Sequence, residues 1–309
     1  MKYGIIGTGA VGGYYGGLLC RHGFDTHFLL RSDYDQVASK GLLVESKDGD
    51  FHLTEINVYK DPRDMPRCEV VLVALKTTAN EALASILPRV TKPGGVVVLL
   101  QNGLGVEAEV AELVPEATII GGLCFLCSNK VGPGRIHHLD FGSVRLGEYA
   151  RDGGAAGITP KLRAIADSFQ EAGISVDVTG DLGLARWQKL LWNMAFNGTS
   201  VVLAATTDQL VADEASRALV RNIMTEVTAA ARALGHDLDD SFIDIMLAAT
   251  EKMVAYSPSM KLDYEAGRPL EIEGIYRRPI RAARQAGVEM LRAAVVADQL
   301  DFLDNRNRR

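Results

Sequence analysis

Lys2-Tyr3-Gly4-Ile5-Ile6-Gly7-Thr8-Gly9-Ala10-Val11-Gly12-Gly13-Tyr14-Tyr15-Gly16-Gly17 is the stretch on which the reading of the whole chain turns. A short apolar run stops at a glycine turn, and small and apolar residues then continue at helical length to Cys20. A strand that feeds directly into a helix aims the helix's free N–H groups and positive dipole end outward, where a pyrophosphate can sit. Gly7 permits the tight turn, Gly9 lets backbone approach phosphate, and Gly12 lets helix and strand pack closely. A second strand is expected at residues 26–30, which puts the motif in its proper context of strand, helix, strand. Gly7, Thr8, Gly9, Ala10, Val11 and Gly12 are therefore cofactor-binding candidates in a doubly wound α/β sheet of the Rossmann type.

Composition narrows the field. The chain has 309 residues, 47% hydrophobic and 23% charged, enough for two domains and a large core. A formal net charge of −6 argues against nucleic acid as a partner. The longest apolar runs, residues 70–75 and 96–100, have strand length and cannot span a bilayer. With no signal-peptide pattern at the start, a cytoplasmic location is expected. Cys124 and Cys127 make a CxxC, but they fall in an apolar run that reads as a buried strand. No second pair completes a zinc site, so no metal is expected.

Further strand ends carry polar residues. The strand at 26–30 ends at Arg31, where NAD-preferring folds commonly carry an acidic residue. A guanidinium there can grip a 2′-phosphate, which favours NADP, although Asp33 and Asp35 stand close enough to pair with it. Residues 41–60 alternate apolar and polar and suggest one or two short added strands. The continuous apolar run 68–75 reads as a strand covered on both faces and ends at Lys76; the run 94–100 ends at Gln101-Asn102-Gly103. Ligands in open α/β sheets bind beyond the carboxyl ends of the strands, so Lys76 and Asn102 join Arg31 as candidates. Ser128, just past Cys127, belongs to the same cofactor-binding set. Two further strands are expected around 119–127 and 135–146. His137 and His138 lie on the second and face opposite ways, and neither is assigned to catalysis. After a helix at 161–172 and a last strand at 174–178, helical periodicity takes over. The expected boundary lies near Gly180, giving a cofactor-binding domain at 1–180 and a helical domain at 181–309.

The first helix of that second half is apolar around most of its circumference, yet Lys189, Asn193 and Asn197 recur at i, i+4 and i+8. Buried without partners, such groups would each cost about 1–3 kcal/mol. The stripe calls for a polar ligand or a polar partner helix.

Taken together, these residues resemble the ketopantoate reductases (2-dehydropantoate 2-reductases). The resemblance runs through Gly7-x-Gly9-x-x-Gly12, Arg31, Lys76, Gln101-Asn102-Gly103, Lys189-x-x-x-Asn193-x-x-x-Asn197, Pro258-Ser259-Met260 and Glu271, and so spans nearly the whole chain. It implies an N-terminal Rossmann domain for NADPH and an all-helical C-terminal domain, with a 2-oxo acid in the cleft between them. It further implies Lys189 as proton donor, Asn193, Asn197 and Ser259 holding substrate, Asn102 near nicotinamide ribose and substrate, and Glu271 on the cofactor and near the lysine. Hydride attack on a ketone develops alkoxide charge, which a nearby ammonium can stabilise and protonate. The chain departs from the family pattern at Ala204-Ala205-Thr206-Thr207-Asp208, where members often place another asparagine. The favoured reaction is reduction of 2-dehydropantoate to (R)-pantoate, in pantothenate and coenzyme A biosynthesis. The competing readings are a related reductase of another short 2-oxo acid and a non-catalytic NADP-binding redox sensor. The partner expected is a small molecule, with neither nucleic acid nor membrane; a homodimer is compatible with the sequence.

Overall fold

The computed structural model describes residues 1–308 other than 254 and 256. The chain divides into two compact units. One comprises Met1–Gln101 and Val106–Leu182; the other comprises Asn102–Gly105 and Gly183–Arg309.

The first unit is built on a mixed sheet with ten strands among the described residues. In chain order its elements are β1 (Lys2–Ile6), α1 (Ala10–Arg21), β2 (Asp25–Leu29), α2 (Tyr34–Lys40), β3 (Leu42–Ser46), β4 (Phe51–Leu53), β5 (Asn57–Tyr59) and β6 (Cys68–Val73). They continue with a 3₁₀ turn (Thr77–Ala82), α3 (Leu83–Val90), β7 (Thr91–Leu99), α4 (Val106–Leu113), β8 (Thr118–Gly132), β9 (Arg135–Glu148), α5 (Pro160–Glu171) and β10 (Val176–Thr179). The strand order is β4-β3-β9-β8-β7-β6-β1-β2-β5. From β8 through β7, β6, β1 and β2 to β5 neighbouring strands run parallel, which requires crossover connections. β8 and β9 form a long antiparallel hairpin, and β9 then pairs β3 with its first half and β10 with its second, both in parallel.

Burial follows the pattern of the sequence. β6 reads Cys68-Glu69-Val70-Val71-Leu72-Val73 and is buried on both faces. Val70 and Leu72 join one apolar cluster with Tyr3, Ile5, Tyr15 and Phe28; Cys68, Val71 and Val73 join another with Ile6, Leu87 and Val97.

Residues 41–60 hold three short strands rather than one or two, and they lie at opposite edges. β3 and β4 extend the sheet beyond β9, whereas β5 pairs with β2 at the other end. Alternation marks such strands but not the edge each one joins. The helices α2 and α4 fall in stretches that the sequence left without an element.

The second unit is helical: α6 (Leu182–Val202), α7 (Thr207–Ala212), α8 (Glu214–Ala233), α9 (Ser241–Glu251), α10 (Ser259–Glu265), a π-helical turn (Glu273–Arg277), α11 (Arg278–Gln285) and α12 (Leu291–Asn307). Its core gathers Trp187, Leu190, Leu191 and Phe196 of α6 with Ile223 and Val227 of α8 and Val296 and Leu300 of α12. Glu226 of α8 accepts from the backbone N–H groups of Arg292 and Ala293, capping the start of α12 with a side chain from another helix. Among the described residues no helix is long and apolar enough to cross a membrane.

Candidate active site

The glycine motif of the first unit behaves as three distinct pieces of backbone. Gly7, directly after β1, has φ +94°, and a Cβ there would lie 2.7 Å from the backbone nitrogen of Leu75. A Cβ on Gly12 would lie 2.1 Å from the carbonyl oxygen of Gly7, so the first turn of α1 can close onto the β1 turn only with glycine at this point. Gly9 is the opposite case. It stands at the N-cap of α1, and a Cβ there would meet no atom within 4 Å. The open side of Gly9 thus faces a region the protein leaves clear.

Chemistry around that region favours an anion. No side chain caps α1, and its first turn carries no acidic residue. The hydroxyl oxygen of Thr8, within the motif, is buried without a hydrogen-bond partner; elsewhere in the unit, that of Ser128 on β8 is too. An orphaned buried hydroxyl costs about 1–3 kcal/mol unless something completes it, so these two donors fit a polar ligand better than an empty loop. Residues Ala10, Val11 and Gly12 form the first turn of α1.

Arg31 lies two residues beyond β2 and is exposed, and among the described residues it makes no hydrogen bond or ion pair. Its acidic neighbour is already engaged. The carboxylate of Asp33 accepts from Lys130 Nζ at 2.6 Å, from the Gly134 N–H at 3.0 Å and from the Ser32 hydroxyl at 2.9 Å. Burial alone would raise this carboxyl, but those three donors hold it below the usual carboxylate value. Lys76 is exposed at the start of the 3₁₀ turn after β6. Gln101, buried after β7, donates through Nε2 to the Leu75 carbonyl at 2.8 Å and to Asn80 Oδ1 at 2.6 Å. It ties together the loops that follow β6 and β7. His138 is buried against the ring of Tyr14 and within 2.8 Å of Ser46 Oγ, while His137 is exposed. The His138 Nε2 also lies within hydrogen-bond distance of the carbonyls of Asp140 and Phe141.

In the second unit α6 presents the polar stripe. Lys189 is half-buried, Asn193 is 6% exposed and Asn197 is 1% exposed, with the Asn197 Oδ1 lacking a hydrogen-bond partner. The stripe thus deepens along the helix from a cation to a carboxamide with spare acceptor capacity. Glu271 is 4% exposed and lies one residue before Ile272, the N-cap of the turn Glu273–Arg277. The neighbouring Leu270 N–H is held by Asp304 Oδ1 of α12 at 3.2 Å. Ser259 opens α10 and is half-buried.

Asn102 stands in a loop grouped with the helical unit although it leaves the end of β7. Leu104 N–H donates to the Gly274 carbonyl at 3.0 Å. Gly103 has φ +95°, and a Cβ there would fall 2.6 Å from Gly274 backbone atoms. The structure therefore joins the Asn102 loop to the segment that starts just after Glu271.

Two residues that sequence reasoning missed complete this part. The hydroxyl of Tyr276, wholly buried, accepts from the Gly198 N–H at 2.8 Å and donates to the Met194 carbonyl at 2.6 Å. Burial drives this phenol well above its ordinary range, so it stays protonated and can donate. Gly198, a glycine deep inside an otherwise good helix, was the available signal.

A Rossmann-type unit followed by a helical unit that carries a lysine–asparagine stripe on its first helix is the architecture of a nicotinamide-dependent oxidoreductase. Residues 3–151 match the family model described as ketopantoate reductase PanE/ApbA, and residues 181–304 match that of its C-terminal domain. The chain belongs to the ketopantoate reductase family. It is 54% identical over 307 residues to the 2-dehydropantoate 2-reductase of a Nostoc species, covering 99% of this chain and 96% of the relative. The crystal structure of 2-dehydropantoate 2-reductase from Geobacter metallireducens superposes with a TM-score of 0.93 at 41% identity, covering 98% of this chain and 99% of that one. The enzyme of the same name from Methylococcus capsulatus gives 0.91 at 33% identity, covering 100% and 98%.

Proposed function

We propose that this protein reduces 2-dehydropantoate to (R)-pantoate with NADPH, as a cytoplasmic enzyme of pantothenate and coenzyme A biosynthesis. The observation that carries the reading is the stripe on α6, where Asn197 Oδ1 is buried and unpartnered behind Asn193 and Lys189. A protein keeps such an atom at a cost of about 1–3 kcal/mol, and a polar substrate that completes its hydrogen bonds supplies the reason.

In this reading Gly7 to Gly12, with Thr8 and Ser128, hold the pyrophosphate end of the cofactor, and Arg31 takes its 2′-phosphate. Lys76 and Asn102 contact its nicotinamide half. Bound nicotinamide supplies the hydride that adds to the keto carbon. The Lys189 ammonium stabilises the charge growing on the keto oxygen and gives it a proton, which completes the alcohol. Asn193, Asn197, Ser259 and Asn102 orient the oxo acid through neutral hydrogen bonds, and Glu271 keeps the lysine aligned.

The family relationship and the 54% identical relative support the substrate. The test is NADPH oxidation followed by absorbance across a panel of short 2-oxo acids. The expected result is the highest kcat/KM for 2-dehydropantoate. Preference for another 2-oxo acid would replace the substrate, and tight NADPH binding with no turnover on any of them would favour a redox sensor. The proposed partner set is small molecules with a homodimer open, which light scattering would decide.

A further inference from the structure

An α-helix joins the N–H of residue i directly to the carbonyl of residue i−4. On α6 the Gly198 N–H and the Met194 carbonyl form such a pair, and the Tyr276 hydroxyl engages both, at 2.8 Å and 2.6 Å. A side chain placed between two rungs of the ladder opens the helix locally and re-aims the residues around it. Those residues are Asn193, one position before Met194, and Asn197, one position before Gly198. Gly198 leaves the room the hydroxyl occupies, since a Cβ there would lie 2.2 Å from it.

Tyr276 sits on the π-helical turn Glu273–Arg277. That turn lies two residues past Glu271 and, through the Gly274 carbonyl, holds Leu104 N–H of the Asn102 loop. π-helical turns are uncommon and are often found at functional sites. One short segment thus touches three groups of candidate residues.

We propose that Tyr276 is a positioning residue: its hydroxyl, wedged into α6, sets where Asn193 and Asn197 present their carboxamides to the oxo acid. The inference rests on the reading of the α6 stripe as the substrate site. Lys189 lies one turn or more before the wedge, so the effect falls on substrate holding rather than on proton donation. A displacement of about 1 Å in such groups can cost up to a hundredfold.

The experiment is Tyr276→Phe, which keeps the ring in the core and lets Gly198 and Met194 bond directly. The expected outcome is a cooperatively folded protein with an NADPH Kd within about twofold of the parent. KM for the oxo acid should rise roughly tenfold or more, with kcat changed less than about threefold. Adding Asn197→Ala should then cost far less than it does in the parent, because both changes act through one group. Gly198→Ala, which pushes the hydroxyl away, should raise KM in the same way. An unchanged KM, a purely multiplicative double mutant, or failure of Tyr276→Phe to fold would each overturn the inference. If the parent reduces no 2-oxo acid at all, the functional reading falls first and takes this inference with it. An active parent with an unaltered Tyr276→Phe removes the inference alone.

Discussion

Asp33 accepts from Lys130 at 2.6 Å across 97 positions of sequence, and that ion pair leaves Arg31 without its nearest acidic partner. The pair joins the loop after β2 to the far end of the β8–β9 hairpin, where Gly134 N–H completes the carboxylate. Arg31 is exposed, and among the described residues it makes no ion pair.

Arg31→Ala should therefore weaken NADPH by about 1.5–3 kcal/mol, the worth of a hydrogen bond to a charged group. NADH, which lacks the 2′-phosphate, should bind nearly as before. Titration calorimetry with both cofactors checks this; equal losses would show that the guanidinium reads something other than the phosphate.

The same pair has a pH signature. The Asp33 carboxyl is held below its ordinary value of 3.8, so it binds its proton less readily folded than unfolded. The stabilisation it brings is complete above the unfolded value and disappears as pH falls through the lower, folded one. Asp33→Asn should cost about 1–3 kcal/mol in urea denaturation at pH 7. That difference should persist down to about pH 5 and shrink toward zero below about pH 4. A difference that stays constant down to acid pH would assign the loss to packing rather than to charge.

Gly9 and Gly12 offer a pair of changes alike in chemistry and opposite in consequence. In Gly12→Ala the new methyl meets the Gly7 carbonyl oxygen at 2.1 Å, so the fold should lose about 1–3 kcal/mol or more. In Gly9→Ala the methyl meets nothing within 4 Å, and melting should shift by less than about 0.5 kcal/mol. Its methyl stands where a bound pyrophosphate would approach, so NADPH affinity should fall at least roughly tenfold. Melting curves with and without NADPH separate the two. Undiminished NADPH stabilisation of Gly9→Ala would move the phosphates elsewhere.

Much of this architecture was legible because it is local. The β1–α1 turn, the apolar strand of β6 and the i, i+4, i+8 stripe of α6 are each written in fewer than twenty consecutive residues, and their period names the element. The relationships that join distant segments were not legible. Nothing in residues 57–59 says that β5 joins β2 while β3 joins β9, since alternation marks a strand and leaves its partner open. Lys130 reads as one more hairpin lysine until Asp33 is brought beside it. Tyr276 reads as a core aromatic, and only its hydroxyl's two partners, 78 and 82 residues away, distinguish it from one. The grouping of Asn102–Gly105 with the helical unit is hidden for the same reason: a loop's sequence shows that the strand has ended, not which unit the loop will pack on.

Lys189 is the residue on which enzyme and non-catalytic reading divide. It is half-buried on a helix that otherwise buries mostly apolar side chains, and it heads a stripe that ends at the unsatisfied oxygen of Asn197. A cation kept in such surroundings is either held by the fold or used in the reaction, and the two uses give different mutants. If Lys189 is the proton donor, Lys189→Ala should slow the chemical step by about 10²–10⁴-fold, the usual worth of a positioned acid. NADPH affinity should change little, because the residues proposed to grip the phosphates lie in Met1–Gln101 and Val106–Leu182. If Lys189 mainly holds the fold, removing one partner of a buried ion pair should cost about 3–5 kcal/mol, and activity per folded molecule should survive. Single-turnover hydride transfer and a melting curve on the same preparation read both quantities at once. A mutant that folds well and transfers hydride at close to the parental rate would end the proton-donor assignment. One that folds well and has lost transfer while still binding NADPH would establish it, and would exclude a sensor that has no use for an acid on this helix.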